Sequence, residues 1–134
     1  MYQSDWLLRQ IEQMGDALRR LLDALREHRP EDALALSREA VGELLETDPE
    51  LIDSLAPEGL VTLLSAGGDL DTFRAHMLAE LLLARAEAHS MRGEAAAADV
   101  ERLRAAALLH AVRPLVEGAQ AERVDELLRW LAER

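Results

Sequence analysis

The 134-residue sequence contains no cysteine, no lysine and only four aromatic residues. Without cysteine, the chain can form neither a disulfide nor a thiolate metal site. Without lysine, it has neither a Schiff-base amine nor the lysine of a Walker-type phosphate loop. All 15 basic side chains are therefore arginines. These absences exclude whole classes of enzyme before any pattern is considered.

Long apolar segments are also missing. The most apolar window, residues 77–88, is interrupted by Glu80, Arg85 and Glu87, so we expect no membrane-spanning helix. The first eight residues include Asp5 and lack the basic start and apolar run of a signal peptide. The sequence therefore predicts a soluble cytoplasmic protein that does not bind a membrane.

Leucine and alanine dominate what is present, with 50 of the 134 residues between them. Both are strong helix formers, and the β-branched residues that favour strands are scarce. A chain of this length is long enough to enclose one core and too short for two. We therefore predict a single all-α domain over residues 1–134.

Prolines, glycines and capping residues divide the chain into helices. Pro30, Pro49 and Pro57 suit first turns, Asp48 suits an N-cap, and either Asp69 or Asp71 is the expected cap of the longest helix. Ser4 or Asp5 is the expected cap of the first helix. The predicted helices span about residues 5–28, 31–46, 49–55, 57–67, 71–92, 94–113 and 119–133. The first two form an antiparallel hairpin, the two after Asp71 form another, and the last caps the end of the stack.

Apolar spacing of three and four residues predicts the buried faces. The helix after Asp71 is apolar on most sides and is expected at the centre of the fold. The expected inner rows of the other long helices are Leu7, Ile11, Met14, Leu18, Leu21 and Leu25, with Leu8, Gly15 and Leu22 beside them, and later Val100, Leu103, Ala107 and Ala111. Trp6 and Trp130 are expected to seal the core edges or to serve as a contact.

Two glycines lie in the middle of predicted helices, Gly15 and Gly42. A mid-helix glycine costs about 1 kcal/mol relative to alanine, so each one calls for a reason. In the antiparallel hairpin, both glycines fall near the same level. We expect the two backbones to approach closely there; simple tolerance of the glycines is the alternative.

The negative charge is concentrated in one stretch. Between Arg38 and Arg74 there are nine carboxylates and no basic residue, which leaves 17 acidic and 15 basic residues elsewhere. A negative surface repels nucleic acid and attracts basic protein segments, and the pI is near 4.7. We therefore expect a protein or peptide partner, basic in character, and no nucleic acid. The candidate partner-binding acidic face is Glu39, Glu43, Glu46, Glu50 and Asp53; the alternative is that these charges only keep the protein in solution.

The sequence contains few of the patterns that are typical of catalytic or metal-binding sites. The chain has no Glu-x-x-His, no Gly-x-Ser-x-Gly and no glycine-rich phosphate loop. His76 and Glu80 stand one helical turn apart and could supply two metal ligands, but a third is not evident. We expect no catalytic residue, no metal and no cofactor. The four histidines, His28, His76, His89 and His110, are expected at the surface or its boundary.

The segment Leu44-Leu45-Glu46-Thr47-Asp48-Pro49 resembles the close of a tetratricopeptide repeat's second helix. The spacing of the small residues Ala86, Ala98 and Ala105 around the turn glycine Gly93 is also similar to that of a tetratricopeptide repeat. The resemblance implies a right-handed stack of antiparallel hairpins, here with short connecting helices and a C-terminal capping helix. The chain departs from that repeat because its large aromatic positions are absent and its two hairpins are offset by about 65 residues.

The opening Asp5-Trp6-Leu7-Leu8-Arg9-Gln10-Ile11-Glu12 resembles the start of a family of small bacterial all-helical proteins of unknown function. That resemblance implies a bacterial cytosolic protein and assigns no activity.

These observations favour a non-catalytic protein–protein interaction module. One alternative is a structural or regulatory homodimer that associates through its first helix, and another is a small enzyme or metal-binding bundle.

Overall fold

The computed structural model describes the backbone of residues 2–134 and the side chains from Leu8 onward. This described part of the chain is all-helical and contains no strand. Its helices are α1 (Tyr2–Arg26), α2 (Pro30–Leu45), α3 (Pro49–Asp53), α4 (Pro57–Leu63), α5 (Thr72–Met91), α6 (Ala95–Val112) and α7 (Gly118–Ala132), with a 3-10 turn at Arg113–Leu115 before α7. None of these helices combines the length and the apolar character that crossing a membrane requires.

The capping residues behave as predicted at two helix starts. Asp48 accepts a hydrogen bond from the backbone N–H of Glu50 at 2.9 Å, and Asp71 accepts one from that of Arg74 at 3.0 Å. The expected cap at Ser4 or Asp5 is wrong, because α1 already begins at Tyr2. No proline or glycine precedes Ser4 to stop the helix there.

Both hairpins turn through the same backbone motif. After α1, the N–H of His28 donates to Leu25 O at 3.1 Å and that of Arg29 to Ala24 O at 2.9 Å. After α5, Gly93 and Glu94 repeat this pattern with bonds of 3.0 and 2.9 Å. His28 and Gly93 have φ angles of 55° and 75°. This pairing of bonds is the Schellman motif, which closes a helix with one left-handed residue.

Helix α5 lies at the centre of the fold, as its all-round apolar pattern predicted. It packs against α6, α2 and α1, while α4 covers another side of α6. The buried residues of α5 are Ala75, His76, Leu78, Ala79, Leu81, Leu82, Leu83, Ala84, Arg85, Ala86 and Ala88. Helix α5 contacts both helices of the first hairpin, α1 and α2, as well as its own hairpin partner α6. It therefore joins the two halves of the chain into one core.

The predicted inner face of α1 is only partly correct. Met14, Leu21 and Leu25 are buried, but Leu8, Ile11 and Leu22 keep 57%, 45% and 39% of their surface exposed. The contacts of α1 are chiefly with α2 and α5, which cover less of its circumference than its apolar residues occupy. The side chains of Trp6 and Leu7 lie outside the described residues.

The expected inner row of α6 is wrong. Val100 and Leu103 are 53% and 66% exposed, and Ala107 and Ala111 are only partly buried. Helix α6 instead buries a face that includes two charged residues, Glu101 and Arg104, together with Ala98, Ala105, Leu108, Leu109 and Val112. The prediction failed because it placed charges on the solvent side, whereas this pair is buried as an ion pair.

The glycines do not mark a close approach between α1 and α2. A Cβ atom added at Gly15 would meet no atom within 4 Å. A Cβ at Gly42 would lie 3.3 Å from Cγ of Pro49, so Gly42 makes room for the start of α3. No contact within the described chain therefore requires glycine at position 15.

The shared turn generates a paired stability prediction. Gly93→Ala should lower the free energy of unfolding by about 1 kcal/mol, because alanine resists a positive φ. A Cβ there meets no atom within 4 Å, so the cost comes from the backbone alone. His28→Gly should raise the free energy of unfolding by about 1 kcal/mol for the same reason. Urea unfolding followed by circular dichroism measures both; shifts of the same sign would contradict the shared turn.

Candidate functional site

A cluster of charged groups is buried where α2, α3, α5 and α6 meet. The guanidinium of Arg85 donates to Ser37 Oγ at 3.1 Å and to Asp53 Oδ1 at 3.0 Å, and it lies 4.0 Å from the Glu101 carboxylate. Arg104 donates to both Glu101 oxygens, at 3.1 and 3.2 Å, and to the backbone carbonyl of Ile52. Arg85, Glu101 and Arg104 are thus buried together, and the exposed carboxylate of Asp53 pairs with Arg85 at the edge of the cluster.

A polar cavity of about 330 Å³ adjoins this buried charged cluster. It is lined by Leu34, Ala35, Arg38, Asp53, Arg85, His89 and Glu101. Arg38 approaches Asp53 at 3.2 Å, and His89 Nδ1 pairs with Glu94 at 3.0 Å. The charged groups around the cavity are thus engaged with one another, and we assign the cluster a structural role.

A larger groove of about 440 Å³ opens between α1, α5 and α7. Its lining is mostly apolar: Leu18, Leu22 and Leu25 come from α1, Leu83 and Ala84 from α5, and Leu127 and Trp130 from α7. Charged groups also line it, namely Glu80, Glu87, Arg123 and Glu126. Concave surfaces of this size that combine apolar walls with a few polar groups are typical of binding sites. We take this α1–α5–α7 groove as the candidate site.

A hydrogen-bond network holds α7 against α5 beside the groove. Glu80 accepts hydrogen bonds from His76 Nε2 and from Arg123, each at 2.8 Å. The side-chain amide of Gln120 lies 3.2 Å from His76 Nδ1. We assign the imidazole proton to Nε2, which leaves Nδ1 to accept from the Gln120 amide. Helix α7 is therefore positioned by directed polar contacts as well as by packing.

Glu80 is held in its charged form by this network. Burial alone would raise its pKa, but the hydrogen bonds from His76 and Arg123 and the positive charge of Arg123 outweigh burial. Together they lower the pKa of Glu80 from 4.5 to about 2. The carboxylate side of the groove therefore stays negative throughout the physiological pH range.

The histidines fall in different environments. His28 and His110 are exposed and His89 is half-buried, in line with the expected surface or boundary positions. The prediction was wrong for His76, which is buried because Glu80 and Gln120 satisfy both of its ring nitrogens. Among the described residues, no three or more His, Asp or Glu side chains come together as a metal site would require.

The acidic face does not lie on one side of α2. Glu39 and Glu43 line a depression of about 190 Å³ with Arg20 of α1. Glu50 and Asp53 instead approach Arg38, at 3.8 and 3.2 Å, on the side of the buried charged cluster. Glu46 is exposed at the end of α2 with a φ of 51°. Part of this negative charge is therefore balanced by arginines from outside the acidic stretch.

Sequence reasoning missed both the buried charged cluster and the groove. Arg85 was visible as a charge within the apolar window of α5, and Arg104 precedes an alanine run. A charged residue in an apolar segment indicates a buried ion pair only if the oppositely charged residue that it contacts is known. That residue can be identified only from the tertiary structure. The signal for the groove was the second apolar row of α1, which was expected to be buried.

No family model, no curated protein and no solved structure matches this chain.

The buried charged cluster makes a strong prediction for Glu101. Glu101→Gln should lower the free energy of unfolding by about 3 kcal/mol, because it leaves the buried guanidinium of Arg104 without a counter-charge. Chemical unfolding at neutral pH measures the change. Glu39→Gln, at an exposed position of α2, is the matched control and should change stability by about 0.5 kcal/mol or less. Equal effects of the two substitutions would contradict the structural role of the cluster.

The lowered pKa of Glu80 predicts a pH dependence of stability. A group with a lowered folded-state pKa stabilises the fold above its unfolded pKa and loses that contribution as the pH falls. At pH 7, Glu80→Gln should therefore lower the free energy of unfolding by about 3 kcal/mol. The difference from wild type should shrink as the pH falls from 4.5 towards about 2.

Unfolding measured in parallel for wild type and Glu80→Gln between pH 7 and pH 3 tests this dependence. Glu126→Gln, which alters an exposed partner of Arg123 at 3.5 Å, serves as the control. It should cost about 0.5 kcal/mol or less. A Glu80→Gln difference that stays constant with pH would contradict the assignment.

Proposed function

We propose that this protein is a non-catalytic protein–protein interaction module with tetratricopeptide-like packing. Its two hairpins, α1–α2 and α5–α6, share the same turn 65 residues apart, at His28 and Gly93. At the same offset, each second helix buries equivalent residues: Ala33 and Ala98, Ala40 and Ala105, Leu44 and Leu109. This correspondence supports a right-handed stack of two related hairpins, with α7 capping the second.

The proposed contact surface is the α1–α5–α7 groove. In a stack of this kind, α1 and α5 are the first helices of their hairpins, and α7 follows as the next helix of the series. The single observation that carries the proposal is an apolar groove continuous with exposed leucine on α1, including Leu22. A contiguous apolar patch that stays uncovered is a feature of many protein-binding surfaces.

The chemistry of the groove favours a partner with apolar and basic side chains. Three carboxylates, Glu80, Glu87 and Glu126, accompany one arginine in its lining, and the whole chain carries a net charge of -11. The acidic face on α2 and α3 adds to the negative electrostatic potential around the groove at longer range. It would speed the encounter with a basic protein, whereas the groove would supply the affinity.

The proposal assigns no catalytic role and no cofactor to the chain. His76 and Glu80, the pair best placed for chemistry, are engaged by Gln120 and Arg123. Their contacts serve to fix α7 beside the groove. The proposed setting is the cytoplasm. The chain has no cysteine, so it does not depend on an oxidising compartment to form disulfides.

Capture of partners from the native cell tests the proposal. Leu22→Glu should abolish capture of groove-dependent partners, because it places a charge on the apolar wall. Leu51→Glu, on the exposed side of α3 and outside the groove, is the matched control and should retain them. Quantitative mass spectrometry of the captured proteins measures both variants.

A third variant separates the acidic face from the groove. Replacing Glu39, Glu43 and Glu46 together by glutamine should weaken capture at low salt and have little effect at high salt. Indifference of every captured protein to both the Leu22 and the triple glutamine changes would remove the interaction proposal.

A further inference from the structure

A partly exposed apolar stripe follows α1 with coiled-coil spacing. Its members recur at alternating steps of three and four residues: Leu8, Ile11, Gly15, Leu18, Leu22 and Leu25. The buried face of α1 centres on Met14, Leu21 and Ala24, and the α1 stripe meets this face at Leu25, which is also buried. An alternation of three and four is the pattern by which one helix packs along another. The subunit therefore has a second helix-packing face that its own fold leaves partly uncovered.

The two halves of the α1 stripe differ in shape. Leu8 and Ile11, in the first half, stand exposed to solvent. Leu18, Leu22 and Leu25, in the second half, form one wall of the α1–α5–α7 groove. The first half projects and the second half is recessed. A partner that matches both halves at once must present a recess to the first and a projection to the second.

A second copy of α1 in antiparallel orientation meets that requirement. In that alignment, Leu8 lies opposite Leu25 of the second copy, Ile11 opposite Leu22, and Gly15 opposite Leu18. Each projecting half then enters the groove of the other subunit, and the contact is the same on both sides. Such a self-complementary contact is the requirement for a two-fold symmetric dimer.

Gly15 falls near the centre of this alignment. It lies in the middle of a long helix, where glycine costs about 1 kcal/mol relative to alanine. No atom of its own subunit would lie within 4 Å of an added Cβ, so the fold itself does not explain it. In the antiparallel alignment, the missing side chain of Gly15 leaves room for Leu18 of the second copy.

Charges beside the α1 stripe are complementary in the same alignment. Glu12 and Arg19 lie seven residues apart and flank the stripe on its solvent side. When two α1 helices run antiparallel, Glu12 of each copy comes beside Arg19 of the other, which gives two attractive pairs. A parallel pairing would not bring these residues together. Opposite charges at such flanking positions set the partner and the orientation of paired helices.

The charge of α1 also permits close approach of two acidic molecules. Residues 8–26 contain four arginines, Arg9, Arg19, Arg20 and Arg26, and three acidic residues, Glu12, Asp16 and Asp23. This segment is thus slightly basic in a chain with a net charge of -11. Self-association through α1 brings this slightly basic segment of each copy against the groove of the other, which is lined by Glu80, Glu87 and Glu126.

From these observations we infer that the occupant of the α1–α5–α7 groove is the α1 stripe of a second copy, paired antiparallel with Gly15 opposite Leu18. The inference rests on the proposed function, since it names the partner of the same groove. One helix face per subunit is a small interface, so the dimer is expected to form at micromolar concentrations rather than below.

Sedimentation equilibrium of the full chain at about 1 to 100 µM measures the dimer. The wild type should approach twice the chain mass of 14.9 kDa. Ile11→Glu should remain monomeric, because it charges an exposed position of the α1 stripe without touching the core. Leu51→Glu is again the control and should dimerise as the wild type does.

Charge reversal tests the orientation. Glu12→Arg and Arg19→Glu, each alone, should raise the dimer dissociation constant about tenfold, because two attractive pairs become repulsive. An equimolar mixture of the two variants should recover the wild-type constant, since both pairs in the mixed dimer attract. Loss of fold in either variant could not be repaired by mixing, and circular dichroism of each variant checks its helicity directly.

A wild type that stays monomeric at about 100 µM, or a mixture that fails to recover association, would overturn the antiparallel self-pairing. Neither result affects the capture experiment with Leu22→Glu, which decides separately whether the groove binds a different protein. If the wild type is monomeric and the groove variants still lose captured partners, the interaction module stands and its partner is another chain.

Discussion

Arg85 connects four helices of this fold through polar contacts. It projects from the central helix α5 into the interior, where its guanidinium meets Ser37 of α2, Asp53 of α3 and, at 4.0 Å, Glu101 of α6. Arg104 extends the same cluster to the backbone of α3 at Ile52. Because buried charges are costly unless they are paired, these four helices are held in one register.

The two hairpins occupy unequal positions despite their shared turn. The first helix of the second hairpin, α5, is covered by α1, α2 and α6. Its counterpart in the first hairpin, α1, has α2 and α5 on one side, and its α1 stripe faces outward. The first hairpin packs against α5 and covers one of its sides. Within the described chain, no element covers the corresponding side of α1. A second copy of α1 would complete that packing, as in the proposed self-association.

The position of α7 decides whether the groove exists at all. Polar contacts hold this helix: Gln120 with His76, Arg123 with Glu80, and Arg113 with Asp125 at 2.7 Å. These contacts place Leu127 and Trp130 across from Leu22, so the groove has two walls. The same network keeps Glu80 ionised, since its pKa lies near 2. Structure and charge at the proposed binding site thus depend on the same few hydrogen bonds.

The sequence by itself determined the all-helical class, nearly all helix boundaries and the central place of α5. These follow from local physics: proline and glycine stop helices, Asp48 and Asp71 cap them, and leucine and alanine recur at helical spacing. Only the tertiary structure decided which apolar rows are buried. The rows at Leu8 and Leu22 of α1 and at Val100 and Leu103 of α6 have the spacing of core residues, yet neighbouring helices leave them exposed. Conversely, Glu101 and Arg104 are buried because each neutralises the other. Spacing reveals that a face is apolar, but whether another helix covers it depends on contacts between residues far apart in the chain.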